Sequence, residues 1–209
     1  MLKRMVLFLL IVICVSASFA GVADNYVIAK GEYAYGVWLD NHDTLIVQGG
    51  GADIIEAWDY STITIEYTSI STNPSNPVTN GRGIWDIFLD DYSKLLYLDG
   101  ATDEITLSDD ATATLKGGYI NAITSFQSAH NTQHIDLYCQ EGWSWIYKSG
   151  NIKGITGLWE NGDLFSIKFI DDDTFGYDPV WENVNVIEVP EPATLTLLSL
   201  GCLLIHKKK

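Results

Sequence analysis

The chain has few basic residues and few cysteines, and both shortages limit what it can be. Of its 209 residues, 12 are lysine or arginine and 27 are aspartate or glutamate, which gives a formal net charge of −15. A surface this acidic repels the phosphates of nucleic acids and anionic lipid headgroups. We therefore expect no nucleic-acid partner. The chain has only three cysteines, Cys14, Cys139 and Cys202, which are too few for a disulfide-rich framework.

Motifs of common catalytic and nucleotide-binding sites are also lacking. The sequence contains no G-x-S-x-G motif, no G-x-x-x-x-G-K-[ST] motif and no dinucleotide fingerprint. Gly49, Gly50 and Gly51 follow a predicted strand, but the chain then enters a second strand and not the helix that phosphate binding requires. A lyase acting on acidic glycans would need a basic cleft, and the few basic residues are scattered. We therefore predict that the protein is not an enzyme.

The N-terminus has the three parts of a secretory signal peptide. Residues 1–4 carry two positive charges, residues 5–15 are apolar, and Ser18 and Ala20 place small residues where a signal peptidase reads them. We predict cleavage between Ala20 and Gly21. An uncleaved membrane anchor is the alternative, although the short apolar segment followed by small residues favours cleavage.

The C-terminus combines a triplet, an apolar segment and a basic cluster. The triplet is Pro190, Glu191 and Pro192, residues 193–205 are apolar, and the cluster is formed by Lys207, Lys208 and Lys209. This order resembles the PEP-CTERM sorting signal of exported proteins from planctomycete-like Gram-negative bacteria. The resemblance covers about the last tenth of the chain. It implies transient anchoring in the inner membrane, cleavage by an exosortase-like protease, and release to the cell surface or matrix.

Two other interpretations of the tail are a membrane span and an ordinary buried helix. Thirteen apolar residues at about 1.5 Å each extend about 20 Å, less than the hydrocarbon core of about 30 Å, although tilt and local thinning can compensate. Pro190 and Pro192 stop any helix from continuing upstream, and the terminal lysines fit a cytoplasmic end. The membrane is thus expected to be contacted only through this segment, before processing.

The two terminal signals divide the chain into three parts. We assign residues 1–20 to the signal peptide, 21–188 to one extracellular domain and 189–209 to the sorting signal. Without the ends, seven basic and 26 acidic residues remain, for a net charge of −19. Cys139 is then the only cysteine, so no internal disulfide is possible, and its alternating surroundings place it in a strand.

The periodicity of the central region is two, which predicts an all-β domain. Short runs such as Phe165 to Phe169 alternate apolar with polar residues and are bounded by glycine and aspartate turns. A weak repeat is also present: Leu45 and Ile63 are 18 residues apart, as are Leu95 and Ala113. Between Ile63 and Leu95 the spacing is 32, and a polar loop at residues 69–82 accommodates the extra residues.

This repeat predicts a short parallel β-solenoid, with an antiparallel β-sandwich as the alternative. Asn161 and Gly162 predict a hairpin that caps the stack, and residues 183–189 predict a last strand. Alternate side chains are expected to point inward. The expected inward residues are Leu45, Val47, Ile55, Ala57, Ile63, Ile65, Leu95, Tyr97, Ile105, Leu107, Ala113 and Leu115.

Metal-binding and acidic patterns are present but weak. His130 and His134 have zinc-like spacing, but they lie in a predicted loop without a glutamate between them. Paired carboxylates, such as Asp90 with Asp91 and Asp109 with Asp110, could serve a glycosidase or bind calcium. A third acidic run covers residues 171–173. We expect solvated turns at these positions and no resident metal or cofactor, with calcium as the nearest alternative.

Aromatic residues provide the candidate ligand-binding group, since aromatic rings stack on the apolar faces of sugars. Trp143 and Trp145 are expected on one face of a strand, and together with Trp159 they form our predicted ligand-binding set. The wider aromatic set comprises Trp38, Trp58, Trp85, Trp181, Tyr33, Tyr35, Tyr60, Tyr92 and Tyr147. Packing in the core or across strands is the alternative role of these rings.

Three functions follow, in order of preference. The first is a non-enzymatic protein of the cell surface or extracellular matrix, exported and sorted by signal peptidase and an exosortase-like protease. The second is a carbohydrate-binding module for exopolysaccharide, which an exposed row of aromatic rings would favour. The third is a polysaccharide-degrading β-solenoid enzyme, which would require converging carboxylates.

Overall fold

In a computed structural model of the chain, the described residues form fifteen strands and one short 3-10 helix. The structure describes residues 23–69, 83–125, 133–171 and 179–190. Most of the predicted sorting and processing residues lie outside these ranges: Ser18, Ala20, Gly21, Glu191, Pro192, Lys207, Lys208 and Lys209. The predicted terminal helices also lie outside them. Within the four described ranges, no helix is long and apolar enough to cross a membrane.

The strands are short, each four to eight residues long, as expected for sequences with alternating polarity and frequent turn residues. They are β1 Asn25–Ala29, β2 Tyr33–Leu39, β3 Thr44–Gln48, β4 Gly51–Ala57, β5 Thr62–Tyr67, β6 Ile84–Leu89, β7 Lys94–Tyr97, β8 Ala101–Leu107, β9 Thr112–Leu115, β10 Tyr119–Ser125, β11 His134–Cys139, β12 Ser144–Lys148, β13 Asn151–Leu158, β14 Leu164–Ile170 and β15 Val184–Glu188. The 3-10 helix spans Val180–Asn183.

The strands form two sheets. Successive strands alternate between them from β1 to β12, whereas β13 and β14 stay in the same sheet as β12. Sheet A has the order β1-β3-β5-β7-β9-β11-β15, and sheet B has the order β12-β13-β14-β10-β8-β6-β4-β2. Every pairing in sheet A is parallel, and so is every pairing from β2 through β14 along sheet B. Two consecutive strands, one in each sheet, thus make one turn of a coil, and each turn pairs in parallel with the next. The predicted solenoid is confirmed. The sandwich alternative is wrong, because its repeats would pair as antiparallel hairpins.

The register of sheet A reproduces the spacings of the sequence repeat. Leu45 pairs with Ile63, Ile63 with Leu95, and Leu95 with Ala113. Sheet B keeps the same register across the long connection, since Ala52 pairs with Ile84, which is also 32 residues later. The extra residues of the 32-residue spacing therefore lie between β5 and β6, as predicted, and they leave the stacking on both sides unchanged.

The core lies between the two sheets. All twelve residues predicted to face inward are at most 3% exposed. One continuous column on sheet B consists of Val37, Ile55, Ile87, Ile105 and Ile123, each paired with the next along the stack. Stacking branched side chains about 4.8 Å apart brings each into contact with its neighbours above and below. Burial of these columns is the main stabilising contribution.

The C-terminal region both caps and extends the stack. β13 and β14 form the predicted antiparallel hairpin, and Gly162 in its turn has a φ of +90°. β14 also pairs in parallel with β10, while β12 continues the sheet in antiparallel fashion. The last strand, β15, returns to sheet A and pairs in parallel with β11. The stack therefore continues to within two residues of Pro190.

A column of tight turns connects sheet B to sheet A. Asn41, Asp59, Asp91 and Asp109 occupy equivalent positions in successive turns, with φ between +48° and +54°. Asparagine and aspartate tolerate this left-handed conformation better than other non-glycine residues. The turns are also bonded to each other: the Asn41 amide donates to the Asp59 carboxylate at 3.2 Å, and the Asp59 amide donates to Asp91 at 3.3 Å.

Candidate functional site

Four exposed aromatic rings lie on the outer surface of sheet B, on strands β2 and β6. They are Tyr35, Trp38, Trp85 and Phe88, with exposed fractions between 36% and 84%. We refer to these four residues as the aromatic face. β4 lies between β2 and β6, and the register places Glu56 directly between Trp38 and Phe88. The two rings are thus two strand spacings apart, about 10 Å, and flank a carboxylate.

The Trp38 indole lies across the backbone of Gly36. A Cβ atom added at Gly36 would come within 2.4 Å of the ring, so the ring occupies the space that a side chain would fill. Trp38 nevertheless remains 60% exposed. The indole is therefore held against the sheet while much of its surface faces solvent, which makes it a flat, fixed platform.

A shallow cleft adjoins the aromatic face. Its volume is about 330 Å³, at the lower end of the range for small-molecule sites. Glu56 and Phe88 line the cleft, and they are also the residues that follow Trp38 in the register across β2, β4 and β6. The other lining residues are Trp58, Leu89, Asp90, Thr106 and Ser108. Apolar rings thus form part of the wall, and two carboxylates and two hydroxyl groups provide the polar contacts.

Neighbouring carboxylates make this surface strongly negative. Asp86 on β6 pairs in register with Glu104 on β8. Partial burial, followed by the nearby charges of Glu104 and Asp103, raises the pKa of Asp86 above its usual value. Glu104 in turn accepts hydrogen bonds from the hydroxyl groups of Thr106 and Thr124. These bonds hold the Glu104 side chain in place beside Asp86.

The predicted set of Trp143, Trp145 and Trp159 is not a single exposed face. Trp159 is completely buried, donates its indole N–H to the Gly118 carbonyl at 2.8 Å and packs on Phe165. Trp159 belongs to the core and offers no ring to a ligand, so the prediction that it binds a ligand is wrong. The Trp143 and Trp145 rings contact each other edge to face, with 5.1 Å between their centroids, and both pack against the core.

The acidic turns are occupied by internal hydrogen bonds. Ligand atoms of Asp90, Asp91 and Asp109 lie within 4.8 Å of one another. Asp91 accepts the Asp59 amide, and Asp90 accepts the Asp91 amide at 2.8 Å and the Ser108 hydroxyl. Carboxylates at these positions thus satisfy the amides of the turns, and the cluster alone does not make a metal site.

The other weak metal-binding patterns of the sequence fall partly outside the described ranges. His130 falls outside them. His134 is the first residue of β11, and its Nε2 lies 2.8 Å from the Asp136 carboxylate. Of residues 171–173, only Asp171 is described; it forms an ion pair with Lys153 at 3.0 Å and accepts the Val180 amide. Asp171 therefore fastens the 3-10 helix to the hairpin.

Comparison with protein-family models, with curated proteins and with solved structures found no match for this chain. Its function must therefore be inferred from its own surface.

Three of the four aromatic-face residues belong to the wider aromatic set predicted from the sequence, whereas Phe88 and Gly36 were not predicted. Phe88 belongs to an outward column that is defined only by the register between strands. A signal for Gly36 was present, since Gly36 and Trp38 are two residues apart in a strand and so share one face. A glycine two positions before a tryptophan in a strand leaves room for the ring to lie flat.

Proposed function

We propose that the protein is an exported, non-enzymatic surface or matrix protein whose solenoid binds carbohydrate through the aromatic face. The observation that carries this proposal is the Trp38 ring lying flat over Gly36 while largely exposed. A sugar ring stacks on such a platform through its apolar C–H face. Because the ring is already fixed, little conformational entropy is lost when a sugar binds.

The surroundings of Trp38 also suit a chain of sugars. Trp38 and Phe88 are separated by about 10 Å, comparable with the length of a disaccharide, and Glu56 lies between them to accept hydrogen bonds from hydroxyl groups. The surface is an open sheet face with a shallow cleft, which suits binding along a polymer. The predicted signal peptide and PEP-CTERM-like tail support an extracellular location, where exopolysaccharide is the available ligand.

Binding of the full-length protein to a panel of polysaccharides, measured by affinity electrophoresis and calorimetry, tests the proposal. Trp85→Ala should weaken binding at least about tenfold, or about 1.4 kcal/mol, because it removes a ring from the aromatic face. Trp181→Ala is the matched control, since Trp181 is as exposed as Trp85 (38% against 40%) but lies on the 3-10 helix. Equal losses in both variants, or no binding to any polysaccharide, would contradict the proposal.

A glycan-cleaving enzyme is the second candidate, and the proximity of Asp86 and Glu104 favours it. A carboxyl group with a raised pKa beside a second carboxylate is the pair that glycoside hydrolysis uses. A reducing-end assay on the same polysaccharides, run beside the binding measurements, separates the two candidates. Release of reducing ends that Asp86→Asn abolishes would establish the enzyme, whereas binding without release supports the non-enzymatic protein.

A further inference from the structure

The charge distribution around the aromatic face carries an inference about which glycans it binds. Strands β2, β4, β6 and β8, which form this part of sheet B, contain no lysine and no arginine. They contain five carboxylates: Asp53, Glu56, Asp86, Asp103 and Glu104. The formal charges on these four strands are therefore all negative, and they lie on β4, β6 and β8.

These carboxylates are also without cationic partners in the part of the chain that the structure describes. The ion pairs found there join Lys153 to Asp171 and His134 to Asp136, which lie on other strands or outside sheet B. Asp86 and Glu104 face each other across neighbouring strands, so their charges repel. A cation placed among them would relieve this repulsion and is therefore favoured.

The cleft brings the charges and the rings together. Glu56 and Asp90 are its ionisable lining residues, while Trp58 and Phe88 supply ring surfaces. A ligand that fits this cleft needs an apolar face for the rings and a positive group for the carboxylates. A neutral sugar satisfies only the first requirement, and a uronic acid is repelled.

We propose that this surface selects glycans whose sugars carry protonated amino groups over neutral and acidic glycans. The inference rests on the proposed carbohydrate-binding function and specifies its ligand class. Stacking on the rings provides affinity for the sugar, and the carboxylates provide the preference for the amine. Electrostatic complementarity of this kind mainly determines which of several similar ligands is bound.

Calorimetry with three hexasaccharides and the full-length protein tests this selection. The probes are a β-1,4-linked glucosamine hexamer, its fully N-acetylated counterpart and a glucose hexamer of the same linkage. We expect the glucosamine hexamer to bind at least about tenfold tighter than either neutral hexamer, with an advantage that declines as salt is added. Equal affinities for all three hexamers would refute the selection and leave carbohydrate binding intact. Failure of every glycan to bind would overturn both proposals.

Charge-matched variants distinguish a local effect from the general attraction between an acidic protein and a cation. Glu56→Gln removes a carboxylate from the cleft, whereas Glu160→Gln removes one from an exposed turn away from the aromatic face. Glu56→Gln should reduce the preference for the glucosamine hexamer over the N-acetylated hexamer at least about threefold, because the amide can still hydrogen-bond to sugar hydroxyl groups but no longer attracts the amine. Asp86→Asn is a second variant with the same expectation. Equal effects of Glu56→Gln and Glu160→Gln would overturn the proposal.

Discussion

Trp38 and Trp159 illustrate how neighbours decide the role of a single residue type. Trp38 lies within β2 and Trp159 directly follows β13, yet Trp38 is exposed over a glycine while Trp159 is buried with its N–H bonded to Gly118. The inward residues of the repeats could be predicted because their side follows from a period of two. The burial of Trp159 could not, because it depends on a chain segment 41 residues earlier that closes over it.

The position of the Trp38 ring leads to a prediction about Gly36. Gly36→Ala places a methyl group where the ring now lies, so the indole must move away from the sheet. We expect glycan affinity to fall about tenfold, with a change in Trp38 fluorescence and little change in the free energy of unfolding. Binding calorimetry and urea titration measure these quantities.

A double-mutant cycle provides the control for Gly36. If Gly36 acts through the ring, Gly36→Ala should have no further effect on binding once Trp38 is replaced by alanine. An equal effect of Gly36→Ala in the presence and absence of the Trp38 ring would show that the glycine acts in some other way.

Among the elements, the column of turns after the strands of sheet B has the most regular construction. Each turn places an asparagine or aspartate at positive φ, and its amide donates to a carboxylate of the next turn in two of the steps. Tyr60 and Tyr92, one position later, stack with ring centroids 5.0 Å apart and planes 6° apart. Aligned turns keep the strands in register, since a slip would break the turn bonds and the side-chain columns together.

Replacing Asp91 tests the contribution of this column to stability. Asp91→Ala removes the acceptor of the Asp59 amide and puts alanine at a φ of +52°. We expect the free energy of unfolding to fall by about 1–2 kcal/mol. Asp91→Asn removes the same charge but keeps an acceptor and tolerates the conformation, so it should stay within about 0.5 kcal/mol of the parent. Equal losses in urea titrations of both variants would contradict this role.

The sequence predicted the elements unevenly, for physical reasons. Short-range features were accessible: strand periodicity, the hairpin at Gly162 and the spacing of the repeats all depend on nearby residues. The parallel return of β15 onto β11 was not, because it joins residues 49 apart and depends on how the intervening hairpin packs. The aromatic face was partly accessible, since its members are exposed strand residues but their alignment arises only from register.

At the scale of the whole molecule, β15 is the last strand of the stack and forms one edge of sheet A. β15 completes sheet A, and the Val189 amide donates to the Cys139 carbonyl at 2.8 Å. The described backbone hydrogen bonds between this segment and β11 thus involve only residues that precede Pro190. Burial behind it raises the pKa of the Cys139 thiol to about 11, with the nearby charge of Glu188 contributing.

Two deletions separate sorting from folding. Removal of residues 190–209 leaves β15 in place, so the thermal unfolding midpoint should stay within about 2 °C of the parent while the protein changes its cellular location. Removal of residues 184–209 exposes the edge of β11 and should lower the midpoint by at least about 5 °C, because a loss of 1 kcal/mol costs several degrees in a domain of this size. Fractionation with mass spectrometry and circular dichroism measure the two effects. Unfolding of the shorter deletion would show that the tail belongs to the core.

Neighbouring turns of the solenoid are offset by 18 residues, so an 18-residue segment is the unit by which the stack can be lengthened. Residues 94–111 form one full turn whose upper and lower edges match those of its neighbours. Tandem duplication of such a unit adds a layer of about 4.8 Å without creating a new kind of contact. Length can therefore evolve by copying, while binding evolves by substitution on the outer columns, and the two changes need not interfere.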